Sequence, residues 1–412
     1  MKSILLISTI YPRPEGNIGT RVCHYFTREW VKAGYTVQAV HIQAVYPKVF
    51  YWIAKLAQKK IAAKASAVVY TKRDDRIEHY EMDDVPICRI PVYKPIPHGA
   101  FSKKAVIKAV ATIVENNKKA AFKPNIIIGH FPNPQLELLY DLKQVYPDAK
   151  ICEVLHLPEE LDQLESVYRK NLRLYMDSVD VWGFRFKYLK ELFENKYGQA
   201  KNSFICYSGV PESFISDDDR VLKSSFDEFL FVGEMIERKY PVNVLDALIE
   251  AYPQRDFHIN YIGDGGLKKS IQNRIKEEHL EQSVSVLGKI PRDEIKQKYD
   301  EADCFIMISK CEAFGLVYLE AMARGCITIA SRNEGIDGVI VDGENGFLCE
   351  AGNYHELAAI INKIKSLSPQ ERKVISMNAR QTALRLTDKK AAGIYLKNIK
   401  NCVDYECKTK TL

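Results

Sequence analysis

Two carboxylates, Glu312 and Glu320, lie eight positions apart on either side of a predicted helix start. That start, from Gly315 to Val317, offers backbone N–H groups without an intrahelical acceptor and the positive end of the helix dipole, which together bind anions. Carboxylate oxygens accept paired hydrogen bonds from neighbouring sugar hydroxyls. The spacing therefore predicts a site for a phosphate that carries hydroxyl-rich groups. A plain strand–helix unit with two surface acids would show the same spacing, so both interpretations stay open.

Two histidines stand at the ends of predicted strands in the first half of the chain. His130 follows the run 125–129, and His156 follows the run 150–155. Parallel α/β sheets bind their ligands at the carboxyl ends of the strands, so each histidine is a candidate for contact with a ligand. A hydrogen-bonded core histidine is the alternative interpretation at both positions.

The elements that must position the two glutamates can be read from the apolar pattern. Residues 304–308 are apolar and uncharged, which is typical of a strand buried on both faces of a parallel sheet. A helix is predicted from about Gly315, because apolar residues then recur at helical spacing. Gly325 suits the left-handed cap at the end of that helix, and residues 326–330 predict the next strand.

The opening of the chain predicts a nucleotide-binding type of α/β unit. Residues 4–8 form an apolar strand, a loop with Gly16 and Gly19 follows, and a helix over about 20–33 precedes a second strand at 35–42. This order is typical of a doubly wound sheet. The loop lacks the G-x-G-x-x-G fingerprint of dinucleotide binding, so a nicotinamide cofactor is not expected.

Length and composition indicate a soluble protein with two domains. The chain has 412 residues, of which 46% are apolar and 27% are charged. No apolar run reaches the roughly 18 to 20 residues that a membrane-spanning helix needs. The ten cysteines form no C-x-x-C pair and no cluster with histidine, which favours reduced thiols in a cytoplasmic protein.

Positive charge is concentrated in the first half of the chain. Residues 1–206 contain 31 Lys and Arg against 21 Asp and Glu, whereas the remainder contains 28 against 32. Such an excess suggests an anionic partner surface. Two basic amphipathic segments, 49–69 and 101–122, fit docking on anionic lipid, and they also fit helices that only cover the sheet. No nucleic-acid-binding module is recognisable, so nucleic acid is not expected as a partner.

The run from Glu312 to Glu320 resembles the motif of two glutamates separated by seven residues in glycosyltransferase family 4. A Phe-Gly pair and a Glu-Ala-Met-Ala sequence fall in the same register. The resemblance implies that Glu320 holds the ribose of a nucleotide and that Glu312 contacts the transferred sugar. It also implies that the amides of Phe314, Gly315 and Leu316 meet the sugar or the phosphates of the donor.

The same resemblance implies roles for residues outside this run. Lys239 matches a lysine that stabilises the departing diphosphate, in a segment that opens with Gly233. The family's arginine position holds Glu234, which cannot neutralise a phosphate, and Arg238 is a candidate to replace the arginine from a neighbouring position. His156 matches the histidine that faces the reacting centre from the first domain.

Three more positions complete the donor site that the resemblance implies. Gly16 and Gly19 match a glycine-bearing loop beside the donor diphosphate and the acceptor. Ile290 lies in a Gly-Lys-Ile-Pro sequence that matches the strand end where the backbone contacts the base.

The resemblance also implies the fold class. Members of the family are α/β proteins of the GT-B type, in which two Rossmann-like, doubly wound parallel-sheet domains face each other across a cleft. A C-terminal helix crosses back to the first domain. In this chain the implied boundaries are 1–207 for an N-terminal, acceptor-side domain, 208–387 for a C-terminal, nucleotide-sugar-binding domain, and 388–412 for the returning helix.

The implied function is that of a retaining hexosyltransferase. It would move a sugar from a nucleotide diphosphate sugar, UDP-type rather than GDP-type, to a hydroxyl of a glycan or a lipid-linked acceptor. Bacterial surface polysaccharide or glycolipid synthesis is the expected setting, with the enzyme in the cytoplasm and peripheral on the inner face of the membrane.

No cofactor is expected besides the donor substrate, and the sequence holds no D-x-D cluster that would suggest an essential metal. Two alternatives stay open. One is a non-catalytic scaffold of the same fold that binds a nucleotide sugar, which Glu234 favours. The other is a sugar-nucleotide epimerase, which would need no acceptor.

Overall fold

The computed structural model describes the backbone of residues 2–14, 21–65, 70–200, 202–215 and 224–409, and their side chains except those of 57–65 and 402–409. The chain forms two compact units. The first unit consists of Met1–Arg185, Leu189–Cys206 and Asp388–Leu412, and the second consists of Phe186–Tyr188 and Tyr207–Thr387.

Strands and helices alternate through most of the first unit. In chain order its elements are β1 Ser3–Ser8, α1 Val22–Lys32, β2 Thr36–Val45, α2 Lys48–Ala65, β3 Glu78–Met82, β4 Val85–Tyr93, α3 Lys103–Lys119, β5 Ile126–His130, α4 Pro132–Val145, β6 Lys150–Leu155, α5 Glu159–Tyr168, α6 Leu172–Asp177, β7 Val181–Phe184, α7 Lys187–Tyr197 (whose first two residues belong to the second unit) and β8 Ser203–Ile205. The C-terminal helix, α14, covers Asp388–Thr409 and also belongs to this unit.

The second unit repeats the alternation on a smaller scale. Its elements are β9 Glu228–Val232, α8 Pro241–Ala251, β10 His258–Ile262, α9 Lys268–Glu277, β11 Val284–Gly288, α10 Arg292–Glu301, β12 Cys304–Ile306, α11 Leu316–Ala323, β13 Ile327–Ser331, β14 Phe347–Cys349, α12 Tyr354–Ser366 and α13 Pro369–Arg385. The strands and the helix predicted around the two glutamates are therefore confirmed as β12, α11 and β13, although β12 ends two residues earlier than expected.

Each unit is built on one sheet with a reversal of winding. The first sheet has the order β3-β4-β2-β1-β5-β6-β7-β8, and only the β3–β4 pair is antiparallel among the described strands. The second has the order β11-β10-β9-β12-β13-β14, and all its pairs are parallel. In such sheets the ligand crevice lies at the carboxyl ends of the two strands where the winding reverses. Those strands are β1 and β5 in the first unit, and β9 and β12 in the second.

Helices α1 and α14 cover one face of the first sheet through an aromatic cluster. The Trp30 ring stacks on Phe26 and meets Tyr395 edge-on, with ring centroids 6.0 and 5.3 Å apart. The Trp30 Nε1–H donates to the carbonyl oxygen of Ala392 at 2.9 Å. Aromatic pairs of this kind contribute about 0.5–1.5 kcal/mol each beyond the area they bury. The C-terminal helix is therefore an integral part of the first unit.

Helix α3 decides between the two interpretations of the basic segment 101–122. Its apolar residues Val106, Ala109 and Ile113 are buried in the core on the other face of the first sheet, while Lys103 and Lys104 are exposed. The segment 101–122 therefore covers the sheet. The other segment, 49–69, corresponds to α2, with residues 66–69 outside the described part of the chain. Among the described residues, no helix has both the length and the apolar character that crossing a membrane requires.

A fully buried carboxyl group lies in the middle of the first sheet. Glu153 on β6 is 0% exposed, and neither of its carboxyl oxygens has a hydrogen-bond partner among the described residues. Its neighbour on β5 is Gly129, where a Cβ atom would overlap the carboxyl group. Burial, with a further contribution from the charge of Glu160, raises the pKa of Glu153 well above its ordinary value. Burial without a hydrogen-bond partner therefore favours the neutral acid over the carboxylate.

Glu153→Gln should flatten the pH dependence of the free energy of unfolding of the first unit. In the unfolded chain Glu153 ionises near pH 4.5, so its contribution is fully present below that pH and is lost as the pH rises toward the folded-state pKa. The loss is about 1.4 kcal/mol per pH unit, and glutamine does not ionise. Urea unfolding between pH 5 and pH 8, followed by tryptophan fluorescence, measures this unit because all three tryptophans lie in it.

The exposed neighbour Glu159 provides the matched control. Glu159→Gln should keep most of the fall in the free energy of unfolding that the wild type shows as the pH rises. If Glu153→Gln also ran parallel to the wild type, the carboxyl group would have to be ionised in the folded protein.

Candidate functional site

The winding of the second sheet reverses between β9 and β12, and most of the predicted donor-site residues follow these two strands. The loop after β9 carries Gly233, Arg238 and Lys239, and it ends where α8 begins at Pro241. The loop after β12 carries Glu312 and ends at the start of α11. The backbone N–H of Lys310 donates to the carbonyl oxygen of Arg238 at 2.7 Å, so the two loops are joined directly.

One carboxylate and two cations meet between these loops. Glu312 Oε2 lies 3.5 Å from Lys239 Nζ and 3.6 Å from Arg238 Nη1. The side chains of Lys239 and Glu312 are only 13% and 14% exposed, whereas Arg238 is 37% exposed. Among the described residues, Glu312 Oε2 has these ion-pair partners but no hydrogen bond. Arg238 Nη1 also donates to the carbonyl oxygen of Cys311 at 3.3 Å, and Lys239 Nζ contacts the sulfur of Met307 at 3.6 Å. The cluster therefore holds partly desolvated charges that keep part of their hydrogen-bonding capacity.

Gly233 makes room for the lysine of this cluster. A Cβ atom at Gly233 would lie 3.2 Å from Lys239 Nζ and 3.4 Å from its Cδ. Lys239 itself closes a short 3-10 turn, Glu237–Lys239, before Tyr240 takes a left-handed conformation with φ 48°. Glu234, which occupies the cation position of the family pattern, is exposed. The structure thus brings Arg238, rather than residue 234, to the carboxylate that Lys239 approaches.

The helix start after Glu312 has the shape that its sequence predicts. Gly315 caps α11 with φ 74°, and a Cβ atom there would overlap the ring of Tyr318, so a larger residue would distort the turn. Leu316 begins the helix, whose first N–H groups have no acceptor within it. Phe314 is buried, and its backbone packs against Gly335. The loop before α11 is therefore held rigidly, with an anion-binding helix start at its end.

Glu320 is buried on α11 and already has a partner that sequence reasoning missed. Arg292 Nη2, at the first residue of α10, lies 2.5 Å from Glu320 Oε1. The Tyr299 hydroxyl donates to Glu320 Oε2 at 3.4 Å. Ile290, the residue predicted to mark the base-binding strand end, lies two positions before Arg292 and packs against the core. A ribose at Glu320 would share the carboxylate with Arg292, whose side chain is 44% exposed.

The histidines of the first unit form a buried pair that includes a residue of the C-terminal helix. His130 Nδ1 lies 2.9 Å from His156 Nε2, and the hydroxyl of Tyr395 lies 3.2 Å from His130 Nε2. The ring of Phe131 stacks on His156 at 3.9 Å, and the backbone N–H of His156 donates to Glu160 Oε2 at 2.8 Å. His156 uses its Nε2 atom in the pair with His130, so Nδ1 is the ring atom that could meet a ligand.

Both histidines are neutral. Burial, helped by the positive charge of Arg185, lowers the pKa of His130 to about 3. Burial, helped by His130 and Arg185, lowers the pKa of His156 well below its ordinary value. Because neutral histidine carries one ring N–H, the tautomers of the pair are coupled through their shared hydrogen bond.

The remaining predicted residues can be placed only in part. Gly16 and Gly19 follow β1, the strand beside β5 at the reversal of the first sheet, and both lie outside the described residues. Within the described part of the chain, no group of three or more His, Cys, Asp or Glu side chains could hold a metal ion. Arg292 and Tyr395 gave no signal of their own in the sequence, although Tyr395 stands in the predicted C-terminal helix.

The two doubly wound units define the class of protein as GT-B, and comparisons with known proteins agree. Residues 215–382 match the family model described as glycosyl transferases group 1. A glycosyltransferase from Rickettsia africae is similar over 98% of both chains, with a TM-score of 0.67 at 18% identity. The predicted fold class is therefore confirmed.

Two further similarities are informative. An uncharacterized glycosyltransferase of Methanocaldococcus jannaschii is 31% identical over 198 residues, which are 47% of this chain and 52% of the relative. The chain thus spans about half the length of this curated relative. The Anabaena protein HepE, solved in complex with UDP, has a TM-score of 0.66 at 17% identity over 97% of this chain and 100% of its own.

We expect His156 to be the neutral tautomer that is protonated at Nδ1. If the hydroxyl of Tyr395 donates to His130 Nε2, then His130 must donate from Nδ1 and His156 must accept at Nε2. Nitrogen-15 spectra of the protein labelled in histidine distinguish the two tautomers at pH 7. Tyr395→Phe should relax the preference, and a His156 protonated at Nε2 in the wild type would contradict this orientation.

Proposed function

We propose that the protein is a retaining glycosyltransferase of family 4. It transfers a hexose-type sugar from a UDP-type nucleotide diphosphate sugar to a hydroxyl of a glycan or a lipid-linked acceptor. The observation that carries the proposal is the cluster of Lys239, Arg238 and Glu312 beside the start of α11, at the winding reversal of the second sheet. This position is where α/β sheets bind nucleotides, and the charges suit a diphosphate attached to a sugar.

The cations and the helix start would bind the diphosphate of the donor. Lys239 and Arg238 bring two positive charges, and Glu312 neutralises one of them. The start of α11 adds N–H donors at Leu316 and Val317. As the bond between the sugar and the diphosphate breaks, negative charge grows on the leaving oxygen, so these groups stabilise the transition state more than the ground state.

The reaction keeps the anomeric configuration through a same-face route. The bond from the anomeric carbon to the diphosphate oxygen breaks and its electron pair stays on that oxygen. A new bond forms from the acceptor hydroxyl oxygen on the same face, and the departing diphosphate takes the hydroxyl proton. Glu312 orients the transferred sugar, and Glu320 holds the ribose. His156 assists at the reacting centre or positions the acceptor. Lys239 and Glu312 are thus assigned to the chemistry together with His156.

A UDP-type donor is proposed from one comparison. The Anabaena protein of the same fold was solved with UDP. With such a donor and acceptor, we infer a role in polysaccharide or glycolipid synthesis in the cytoplasm.

A non-catalytic donor-binding protein is the second candidate, and Glu234 is the observation that favours it. An acidic residue at a position where the family carries arginine adds a negative charge to the loop after β9. Incubation with a panel of nucleotide sugars and acceptors separates the candidates. Transfer products support the enzyme, and donor binding without released nucleotide supports the scaffold. A donor isomerised without any acceptor would instead identify an epimerase.

Lys239→Met should reduce kcat/KM by about 10² to 10³, because it removes one donor to the oxyanion of the leaving group. Lys310→Met is the matched control. Lys310 is an exposed lysine in the neighbouring loop, and only its backbone is engaged with Arg238. Release of the nucleotide diphosphate measures both variants. Equal rates for Lys239→Met and the control would remove the lysine from the proposed chemistry.

Glu320→Gln should weaken UDP binding by about tenfold, because a hydrogen bond from a ribose hydroxyl to a carboxylate contributes about 1.5–3 kcal/mol. Calorimetric titration with UDP measures the affinity, and the melting temperature checks that the fold survives. Glu301→Gln, which changes a partly exposed carboxylate on α10 paired with Lys298, should bind like the wild type. Unchanged affinity for Glu320→Gln would show that the ribose lies elsewhere.

A further inference from the structure

Helix α2 exposes a row of large apolar side chains. Val49, Trp52, Ile53 and Leu56 are 53%, 64%, 43% and 71% exposed. Their spacing of three, four and seven positions places them on one face of the helix. An exposed stripe of this size, which includes a tryptophan, is uncommon on the surface of a soluble domain and marks an interaction site.

The opposite face of α2 attaches the helix to the first unit. Ala54 is buried, and the backbone N–H of Tyr46 donates to the hydroxyl of Tyr51 at 3.1 Å. The rings of Phe50 and Tyr51 lie 6.1 and 6.5 Å from the ring of Tyr46. The helix therefore already has a packed face, and its apolar stripe is a second face that points away from the core.

The charge of α2 identifies the kind of partner that fits this stripe. Lys48 and Lys55 are exposed, and their spacing of seven places them on one flank of the stripe, beside Trp52. The helix sequence adds three more lysines and contains no acidic residue. Apolar residues with tryptophan on one face and lysines beside them are typical of helices that lie in the headgroup region of a membrane. Each lysine near an anionic bilayer strengthens such binding.

We propose that α2 docks the first unit on an anionic phospholipid bilayer. The apolar stripe inserts at the boundary between headgroups and acyl chains, and the lysines contact lipid phosphates. A second copy of the chain fits this face poorly, because two such helices would bring lysines against lysines. The proposal concerns binding alone and does not depend on the transferase activity, although a membrane-bound enzyme could reach a lipid-linked acceptor.

Helix α3 provides a comparison within the same unit. It is also basic, with exposed Lys104 and Lys108, but its apolar face is buried against the sheet. If net charge alone attracted the protein to lipid, both helices would contribute equally. If the apolar stripe of α2 is the docking element, changes in α2 should have the larger effect.

The test is co-sedimentation of the full chain with vesicles of phosphatidylcholine alone or mixed with phosphatidylglycerol, at low and high salt. The wild type should bind the anionic vesicles, and salt should weaken the binding. The double variant Trp52→Ser with Leu56→Ser should lose at least about tenfold in apparent affinity. The charge variant Lys48→Glu with Lys55→Glu should lose more than its matched control, Lys104→Glu with Lys108→Glu.

All four lysines in these variants are exposed, as are Trp52 and Leu56, so melting temperatures should match the wild type and separate lost docking from lost folding. No binding at low salt, or equal binding to neutral vesicles, would overturn the proposal. Sedimentation of the free protein as a dimer that Trp52→Ser with Leu56→Ser converts to a monomer would overturn it in favour of self-association. Equal losses for the α2 and α3 charge variants would overturn the assignment to α2.

Discussion

The candidate donor site depends on one carboxylate that holds two cations in place. Glu312 reaches across from the loop after β12 to Lys239 and Arg238 in the loop after β9, at 3.5 and 3.6 Å. These distances are those of ion pairs rather than hydrogen bonds. Arg238 Nη1 also donates to the carbonyl oxygen of Cys311 at 3.3 Å, and Lys239 Nζ contacts the sulfur of Met307 at 3.6 Å, so each cation is held in place and keeps further N–H donors. Under the proposed function these remaining donors would stabilise the charge of a diphosphate.

The local part of this arrangement could be predicted from sequence, because it depends on short spacings. The run 304–330 shows a strand, a loop, a helix and a strand through apolar periodicity alone, and Gly315 stands where the structure needs a positive φ. The eight-residue separation of Glu312 and Glu320 then places one in the loop and the other on the helix. Periodicity of this kind survives folding because each element buries the face that its own sequence makes apolar.

Contacts between distant segments could not be predicted in the same way. Arg292 pairs with Glu320 across 28 positions, and Tyr395 reaches His130 across 265. Nothing in either local sequence selects the partner, because the sheet order and the return of α14 decide which side chains meet. The basic helices show the same limit: α2 and α3 have similar patterns, yet only the placement on the sheet leaves the stripe of α2 exposed and buries that of α3.

Glu234, which stands where the family carries an arginine, should weaken diphosphate binding less than its place in the family pattern suggests. Electrostatic stabilisation depends on the distance from each charge to the phosphate and on the local dielectric, not on where in the loop a cation is encoded. Glu234 is exposed, so solvent screens its negative charge. Arg238 follows it on the same loop and lies beside Lys239 at the carboxylate of Glu312. With two cations and one carboxylate, the cluster of Arg238, Lys239 and Glu312 keeps a net positive charge, which would attract the dianionic diphosphate of the proposed donor.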